Sequence, residues 1–185
     1  MILRAETPGD AASLSDIYAP YVRESAISFE IEPPDAAEMR RRFESGGDSY
    51  PWLVAEAEGA VLGYAYAGAF RARAAYRFAV ETTVYASVEA QGRGVGTRLY
   101  EALLAVLSAQ GFAQAIGAIT LPNRASVALH EKLGFGHCGT YAQVGWKLGR
   151  WHDVGLWQRA LGACGEAPAE PLRLAAAGWP QRFLD

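Results

Sequence analysis

A run of glycines in the middle of the chain is the feature best suited to bind a ligand. The stretch from Gln91 to Gly96, Gln-Gly-Arg-Gly-Val-Gly, follows a strand-like apolar stretch, Phe78 to Val88, and leads into leucines and valines at helical spacing. The first turn of a helix carries unpaired N–H groups, and its dipole favours negative charge. Glycines also let the backbone approach a phosphate without a Cβ in the way. The run therefore predicts a loop that binds a phosphate or pyrophosphate group.

Two other glycine-rich loops are excluded by position and by sequence. A dinucleotide-binding fingerprint lies near the first strand of a parallel unit, whereas this loop lies in mid-chain. A P-loop ends in Gly-Lys-Ser or Gly-Lys-Thr, whereas Gly96 is followed by Thr97 and Arg98. Because glycine-rich turns also cap helices without binding anything, the prediction depends on a second motif in the right place.

A single carboxylate stands in the apolar strand that leads to the glycine loop. Glu81 lies among Phe78, Val80 and Val84, so its ionised form is poorly solvated and its pKa is expected to rise. A carboxylate of this kind can act as a general base towards an ammonium group. Strand alternation alone leaves open a second interpretation, in which Glu81 lies on a solvated face of the strand.

The composition is that of an ordinary globular protein. The chain has 185 residues, of which 51% are hydrophobic and 20% charged, and its formal net charge is −3. This balance argues against a general nucleic-acid binder, and no apolar run is long enough to cross a membrane. With no signal segment visible, we expect a cytoplasmic protein with reduced thiols. Cys138 and Cys164 lack metal-ligand spacing, so no metal site is predicted.

The predicted elements follow the order β-α-α-β-β-β-α-β-α-β-β over residues 1–161. This order indicates an α/β (α+β) domain with a mixed sheet and helices on both faces. Pro20 is expected to kink or end the first helix. The stretch from Tyr76 to Val88 is predicted as one long strand.

The residues after the last predicted strand differ in character from the domain. Glycines and prolines interrupt any regular pattern in residues 162–185, which we assign to a C-terminal extension. Trp179 and Phe183 favour a strap packed on the surface over a loose tail, because solvated aromatic residues are costly.

A second motif follows the glycine loop after about thirty residues. Asn123 to Phe135 reads Asn-Arg-Ala-Ser-Val-Ala-Leu-His-Glu-Lys-Leu-Gly-Phe, and the two motifs together resemble those of the GNAT acetyltransferases, which use acetyl-CoA. Within that family, the chain is most similar to the phosphinothricin and methionine sulfoximine or sulfone N-acetyltransferases. The stretches that carry this second resemblance are Ile17 to Pro33, Arg71 to Tyr76, Glu81 to Tyr85, Gly145 to Lys147 and Trp151 to Gln158.

The resemblance implies a GNAT fold, with a central mixed and twisted sheet, and transfer of acetyl from acetyl-CoA to the α-amino group of a small amino-acid analogue. Glu81 is implied as the general base, and His130 as the residue on the sulfur side, acting as acid, base or hydrogen-bond partner. The implied cofactor-binding residues are Val84, Tyr85, Ala86, Gly92, Arg93, Gly94, Val95, Gly96, Thr97 and Asn123. The implied substrate-binding residues are Phe29, Arg71, Arg73, Tyr76, Thr82 and Thr83.

The arginine pair bears on the choice of acceptor. Arginine matches a carboxylate, and the spacing of Arg71 and Arg73 in an extended stretch puts both on one side. A free amino acid is therefore favoured over a peptide N-terminus or another amine. Glu81 and His130 favour an enzyme over a non-catalytic acetyl-CoA-binding module.

Departures from the family pattern affect the acceptor side only. They are Ala19-Pro20 in place of the usual Asn, Ala74 in place of a polar residue, and Arg77-Phe78 after Tyr76. Acetyl transfer is still expected, and the identity of the amino-acid acceptor stays open. The C-terminal arm with Lys147, Trp151, His152 and Asp153 has two interpretations, sheet packing or the interface of a homodimer.

Overall fold

The computed structural model describes residues 1–162 and 167–178, so the strap prediction based on Trp179 and Phe183 lies outside it, as does Cys164. The strands within these residues are β1 Ile2–Ala5, β2 Trp52–Ala57, β3 Ala60–Ala69, β4 Ala79–Ala86, β5 Gln114–Leu121, β6 Gly136–Lys147 and β7 Arg150–Ala160. The α-helices are α1 Ala11–Arg23, α2 Ala36–Gly46, α3 Val95–Gln110, α4 Arg124–Lys132 and α5 Leu174–Ala177. The order of elements up to β7 is the predicted one.

The strands form a mixed sheet in the order β1-β2-β3-β4-β5-β7-β6. β4 and β5 are parallel, and the other neighbouring strands are antiparallel. The parallel pairing covers only Ala79 to Glu81 of β4, whereas β4 pairs with β3 as far as Ala86. The sheet therefore splits between β4 and β5, and among the described residues no strand pairs with the second half of β4 on this side, which leaves it a free edge.

Two hydrophobic cores hold helices against opposite faces of the sheet. Leu53 and Ala55 of β2 pack in a cluster with α3, whereas Trp52 and Val54 pack in a cluster with α1 and α2. This alternation is what a strand buried on both faces produces. The predicted arrangement of helices on both faces is confirmed. No helix in the described ranges is both long and apolar enough to cross a membrane.

Two predictions about element bounds are wrong. α1 does not end at Pro20 but continues to Arg23, and the Pro20 carbonyl still accepts from the Glu24 N–H at 2.9 Å. The alternative, that Pro20 kinks the helix, stays a prediction. The predicted strand from Tyr76 to Val88 is shorter, since only Ala79–Ala86 is strand and short 3-10 turns cover Ala74–Tyr76 and Val88–Ala90. Pairing with neighbouring strands decides the bounds of β4, and the alternation of residues in the sequence does not reveal that pairing.

The described part of the C-terminal extension packs on the domain. The Leu172 N–H donates to the Gln110 carbonyl at 2.7 Å, and Gln110 Nε2 donates to the Leu172 carbonyl at 3.0 Å. Glu170 forms an exposed ion pair with Arg77 at 2.7 Å, in the connection between β3 and β4. The boundary at residue 161 stays a prediction.

Candidate active site

A cavity of about 590 Å³ lies beside the free edge of β4. The residues that line it include nine of the ten predicted to bind the cofactor: Val84, Tyr85, Ala86, Gly92, Gly94, Val95, Gly96, Thr97 and Asn123. Arg93 is the exception, with an exposed side chain outside this lining. The fold thus brings the end of β4, the glycine loop and the starts of α3 and α4 around one space.

The glycine loop has the backbone that an anion site requires. Gly92 and Gly94 have φ angles of 72° and 79°, in the left-handed region that glycine adopts at little cost. The Arg98 N–H donates to the Gly94 carbonyl at 3.1 Å, which is the first hydrogen bond of α3. The N–H groups of residues 95–97 precede that bond, so the helix leaves them without intrahelical acceptors. A pyrophosphate group fits this position.

The free edge of β4 and the cap of α4 supply the remaining groups around the cavity. Val84 to Ala86 pair with β3 on one edge only, so an extended ligand can add to the other edge as a strand does. Asn123 Oδ1 accepts from the Ser126 N–H at 3.1 Å, so Asn123 caps the start of α4. The cap leaves the Asn123 amide nitrogen able to donate to a ligand. These residues fit acetyl-CoA, with its pyrophosphate at the loop and its extended arm along β4.

Tyr21 is a residue of this cavity that sequence reasoning missed. Its hydroxyl donates to the Ala86 carbonyl at 2.6 Å and accepts from Gln91 Nε2 at 3.1 Å. These contacts join α1 to the end of β4 and to the glycine loop. No local pattern indicates them, since the partners lie 65 and 70 residues away along the chain.

Glu81 occupies the last position at which β4 pairs with β5. It lies opposite Ile116 of β5 and opposite Gly68 of β3. Glu81 is exposed at the residue level, as the solvated-face interpretation expects, and partial desolvation by the surrounding protein still raises the pKa of its carboxyl group above the usual value. The predicted direction of the shift is confirmed, and a carboxylate with a raised pKa is a better proton acceptor near neutrality.

His130 is buried between α4 and the sheet, with 4% of its surface exposed. Its Nδ1 lies 2.8 Å from the Ser126 carbonyl, so this nitrogen carries the proton. The other nitrogen, Nε2, lies 2.9 Å from the Tyr100 hydroxyl and accepts from it. Burial lowers the pKa of His130, which keeps the ring neutral. Both ring nitrogens are therefore occupied within the protein.

Glu81 and His130 lie on opposite faces of the sheet. Side chains alternate along β4, and Thr82 points into the core, where its Oγ1 is 2.7 Å from the Tyr100 hydroxyl. Glu81 and Thr83 therefore point towards α1 and α2. Neither His130 nor Thr82 is among the described residues that line the cavity. The catalytic role of His130 and the acceptor role of Thr82 stay predictions.

The predicted arginine segment is bent and exposed. The Arg71 guanidinium lies 5.0 Å from the ring centroid of Phe70 and 5.7 Å from that of Tyr76. Arg73 is exposed and immediately precedes a 3-10 turn. The expectation of an extended stretch is wrong, because residues 70–78 bend and form a 3-10 turn, so strand alternation no longer supports placing both arginines on one side. Their role in binding an acceptor stays a prediction.

Phe29 lies in the connection between α1 and α2, and 37% of its surface is exposed. Its ring packs against Gly145 of β6, and its centroid is 6.1 Å from that of His152 in β7. The last two strands therefore hold the Phe29 ring in place, and its role in binding an acceptor stays a prediction.

A split sheet, a glycine loop at a helix start and a carboxylate on the split strand together define a transferase that holds a pyrophosphate-bearing acyl donor. The chain belongs to the acetyltransferase (GNAT) family, whose model matches residues 13–135. It is an acetyl-CoA-dependent N-acetyltransferase with the GNAT fold.

Relatives of this chain are similar over almost its whole length. It is 46% identical to a phosphinothricin N-acetyltransferase of Streptomyces viridochromogenes, over 91% of this chain and 90% of that one. It is 37% identical to an L-methionine sulfoximine/L-methionine sulfone acetyltransferase of Pseudomonas paraeruginosa, over 89% and 94%. The crystal structure of a phosphinothricin acetyltransferase from Sinorhizobium meliloti in complex with AcCoA matches with a TM-score of 0.88 and 43% identity, over 92% and 94%.

Proposed function

We propose that this enzyme acetylates the α-amino group of a small free amino-acid analogue of the phosphinothricin, methionine sulfoximine or methionine sulfone type. The names of its relatives support this acceptor class. The observation that carries it is the order of functional groups along β4 and the connection that leads into it. Arg71 and Arg73 lie in the connection just before β4, Glu81 lies at the split, and the cofactor residues 84–86 follow.

In this proposal Glu81 accepts a proton from the ammonium group of the acceptor, directly or through one water. The bound acetyl-CoA supplies the reactive thioester. The glycine loop and the edge of β4 hold the donor, so much of the rate comes from proximity. The two arginines bind the carboxylate of the acceptor, and Phe29, Tyr76 and Thr83 complete its pocket.

His130 is proposed to act on the sulfur of the acetyl-CoA thioester, which departs as a thiolate. Its Nε2 accepts from the Tyr100 hydroxyl, so any effect on the departing thiolate reaches it through Tyr100 and Thr82. We expect this contribution to be small, because a thiol with a pKa of about 8.5 leaves readily without a proton.

The enzyme is also proposed to be a cytoplasmic homodimer. Trp146 and Trp151 are 58% and 55% exposed and form an edge-to-face pair with centroids 5.3 Å apart. Val144 and Leu148, on the same strand and the turn after it, are exposed as well. An apolar surface of this kind is typical of a protein interface, and a second copy related by a two-fold axis is the simplest partner. No nucleic-acid or membrane partner is proposed.

Thiol release from acetyl-CoA, measured across a panel of acceptors, tests the proposed function. The panel contains methionine sulfone, methionine sulfoximine, phosphinothricin and short peptides with a free N-terminus. We expect at least one of the free amino-acid analogues to have the highest kcat/KM. A higher kcat/KM for the peptides contradicts the proposal and makes a peptide N-terminus the acceptor.

A further inference from the structure

The connection between α1 and α2, residues 24–35, is held in place by buried polar contacts and is called here the α1–α2 loop. The Ser28 hydroxyl lies 2.6 Å from the Tyr18 hydroxyl and accepts from the Glu30 N–H at 3.1 Å. The Glu30 carboxylate accepts two hydrogen bonds from Arg42, at 2.7 and 2.9 Å. The backbone on both sides of Phe29 is therefore anchored from α1 and α2.

A third anchor comes from the far end of the chain. Lys147, at the end of β6, is only 6% exposed. Its ammonium group donates to the carbonyls of Val22 and Ser28, both at 2.6 Å. The Val22 carbonyl belongs to the last turn of α1, where the helix dipole favours a cation. One lysine thus joins the end of α1, the α1–α2 loop and β6.

The same two strands also fix the side chain of Phe29. A Cβ at Gly145 would overlap the Phe29 ring, so the ring lies directly on the backbone of β6. His152 of β7 lies opposite Gly145 and contacts the Lys147 carbonyl through Nε2 at 3.0 Å. Lys147 therefore holds the backbone next to Phe29, and Gly145 receives its ring.

Two hydrogen bonds to main-chain carbonyls stabilise the buried ammonium group of Lys147. Burial lowers the pKa of Lys147, and the nearby Glu30 carboxylate acts in the opposite direction. A buried lysine is costly unless its hydrogen bonds are satisfied. The two short bonds to main-chain carbonyls meet this requirement, and both carbonyls lie in or next to the α1–α2 loop.

We infer that Lys147 is a positioning residue for the amino-acid acceptor. By its hydrogen bonds it fixes the α1–α2 loop against the last two strands, and it thereby sets the position of Phe29 in the acceptor pocket. The inference rests on the proposed function, in which Phe29 lines that pocket. Lys147 does not contact the acceptor. Its loss acts on acceptor binding more than on the donor cavity, whose lining comes mainly from β4, the glycine loop, α3 and α4 and also includes Tyr21 of α1 and Ile27 of the α1–α2 loop.

A double-mutant cycle tests this inference. Lys147→Met removes the ammonium group and keeps the length of the side chain, and Phe29→Ala removes the ring. Each single change should raise the acceptor KM at least about tenfold, since charge-assisted hydrogen bonds or a binding contact are lost, and leave the acetyl-CoA Kd within about twofold. If Lys147 acts through Phe29, the acceptor KM of the double variant should be no more than about twofold higher than that of Phe29→Ala. Additive effects, or an unchanged KM in Lys147→Met, overturn the inference.

Two further variants keep the test decisive. Arg150→Met, at the exposed position that pairs with Lys147 in β7, should behave as wild type. Lys147→Gln keeps two N–H donors without the charge, and its KM should fall between those of wild type and Lys147→Met. If Lys147→Met does not fold, Lys147→Gln replaces it in the cycle.

Hydrogen exchange separates a failure of this inference from a failure of the proposed function. Amides in residues 24–32 should exchange at least about tenfold faster in Lys147→Met than in Arg150→Met, with α3 unchanged in both. If no free amino-acid analogue is acetylated by the wild type, the proposed function fails, and the cycle is run with the acceptor that is used. Equal exchange rates in residues 24–32 show that Lys147 does not clasp the loop and overturn the inference.

Discussion

The donor end and the proposed acceptor end of this site are built largely from different parts of the protein. Around the cavity the important groups are backbone ones, namely the N–H groups of residues 95–97 and the free edge of β4. At the proposed acceptor end they are side chains from the α1–α2 loop and from the connection before β4, and the last two strands support Phe29. Backbone groups do not depend on side-chain identity, so the acceptor end can change by substitution while the donor end stays intact.

The largest expected effect falls on the residue where the two ends meet. Glu81→Gln should lower kcat by roughly 10²-fold or more, the usual contribution of a general base. Because burial raises the pKa of Glu81 above 4.5, wild-type kcat/KM should fall as the pH drops through that raised pKa. This fall at acidic pH should vanish in Glu81→Gln. If the fall survives and kcat is unchanged, Glu81 has a structural role and is not the general base.

The donor end is tested by a charge placed in the glycine loop. Gly94→Asp puts a side chain on a left-handed position and a carboxylate beside the pyrophosphate site, so acetyl-CoA should bind more than tenfold more weakly, a loss above ~1.4 kcal/mol. Gly111→Asp is the matched control, because Gly111 has φ 88° at the other end of α3 and also has open space around it. Calorimetry measures the Kd for acetyl-CoA in both folded variants. If the two variants bind acetyl-CoA equally well, the donor does not bind at the glycine loop.

The acceptor end is tested by removing one arginine. Arg73→Ala should lower kcat/KM for a free amino acid at least about tenfold, since a bidentate contact with a carboxylate is lost. The Kd for acetyl-CoA should stay within about twofold. Arg77→Ala is the control, because Arg77 pairs with Glu170. Equal losses from the two changes remove the special role of Arg73.

The smallest expected effect lies beneath the sheet. Tyr100→Phe removes the hydroxyl that joins His130 to Thr82, and we expect kcat to fall about threefold, as for one neutral hydrogen bond. Acceptor KM should not change. A fall of roughly 10²-fold instead makes the hydroxyl a proton donor of the reaction.

The parts of the site that local sequence could predict are those made by one continuous stretch. The glycine loop and the Asn123 cap each depend on residues within one turn. The direction of the pKa shift of Glu81 is expected from its apolar neighbours in the strand, although packing by other elements supplies the burial that causes it. The order of strands and helices along the chain likewise predicts the mixed sheet with helices on both faces. Local physics decides the loop and the cap, so the structure agrees with them.

The rest depends on contacts between distant residues. Lys147 and Val22 are 125 residues apart, and His130 and Tyr100 are 30 apart. No spacing rule reports that His130 is buried with both nitrogens occupied, or that a lysine anchors the α1–α2 loop. The bend at residues 70–78 was missed for the same reason, because alternation describes an extended stretch only.

The most direct test of the account compares methionine sulfone with its methyl ester as acceptors of the wild-type enzyme. The two differ only in the carboxylate that Arg71 and Arg73 are proposed to bind. We expect a kcat/KM at least about tenfold higher for the free acid, with the same Kd for acetyl-CoA. Equal values of kcat/KM for the acid and the ester contradict this expectation, and indicate an acceptor that carries no free carboxylate.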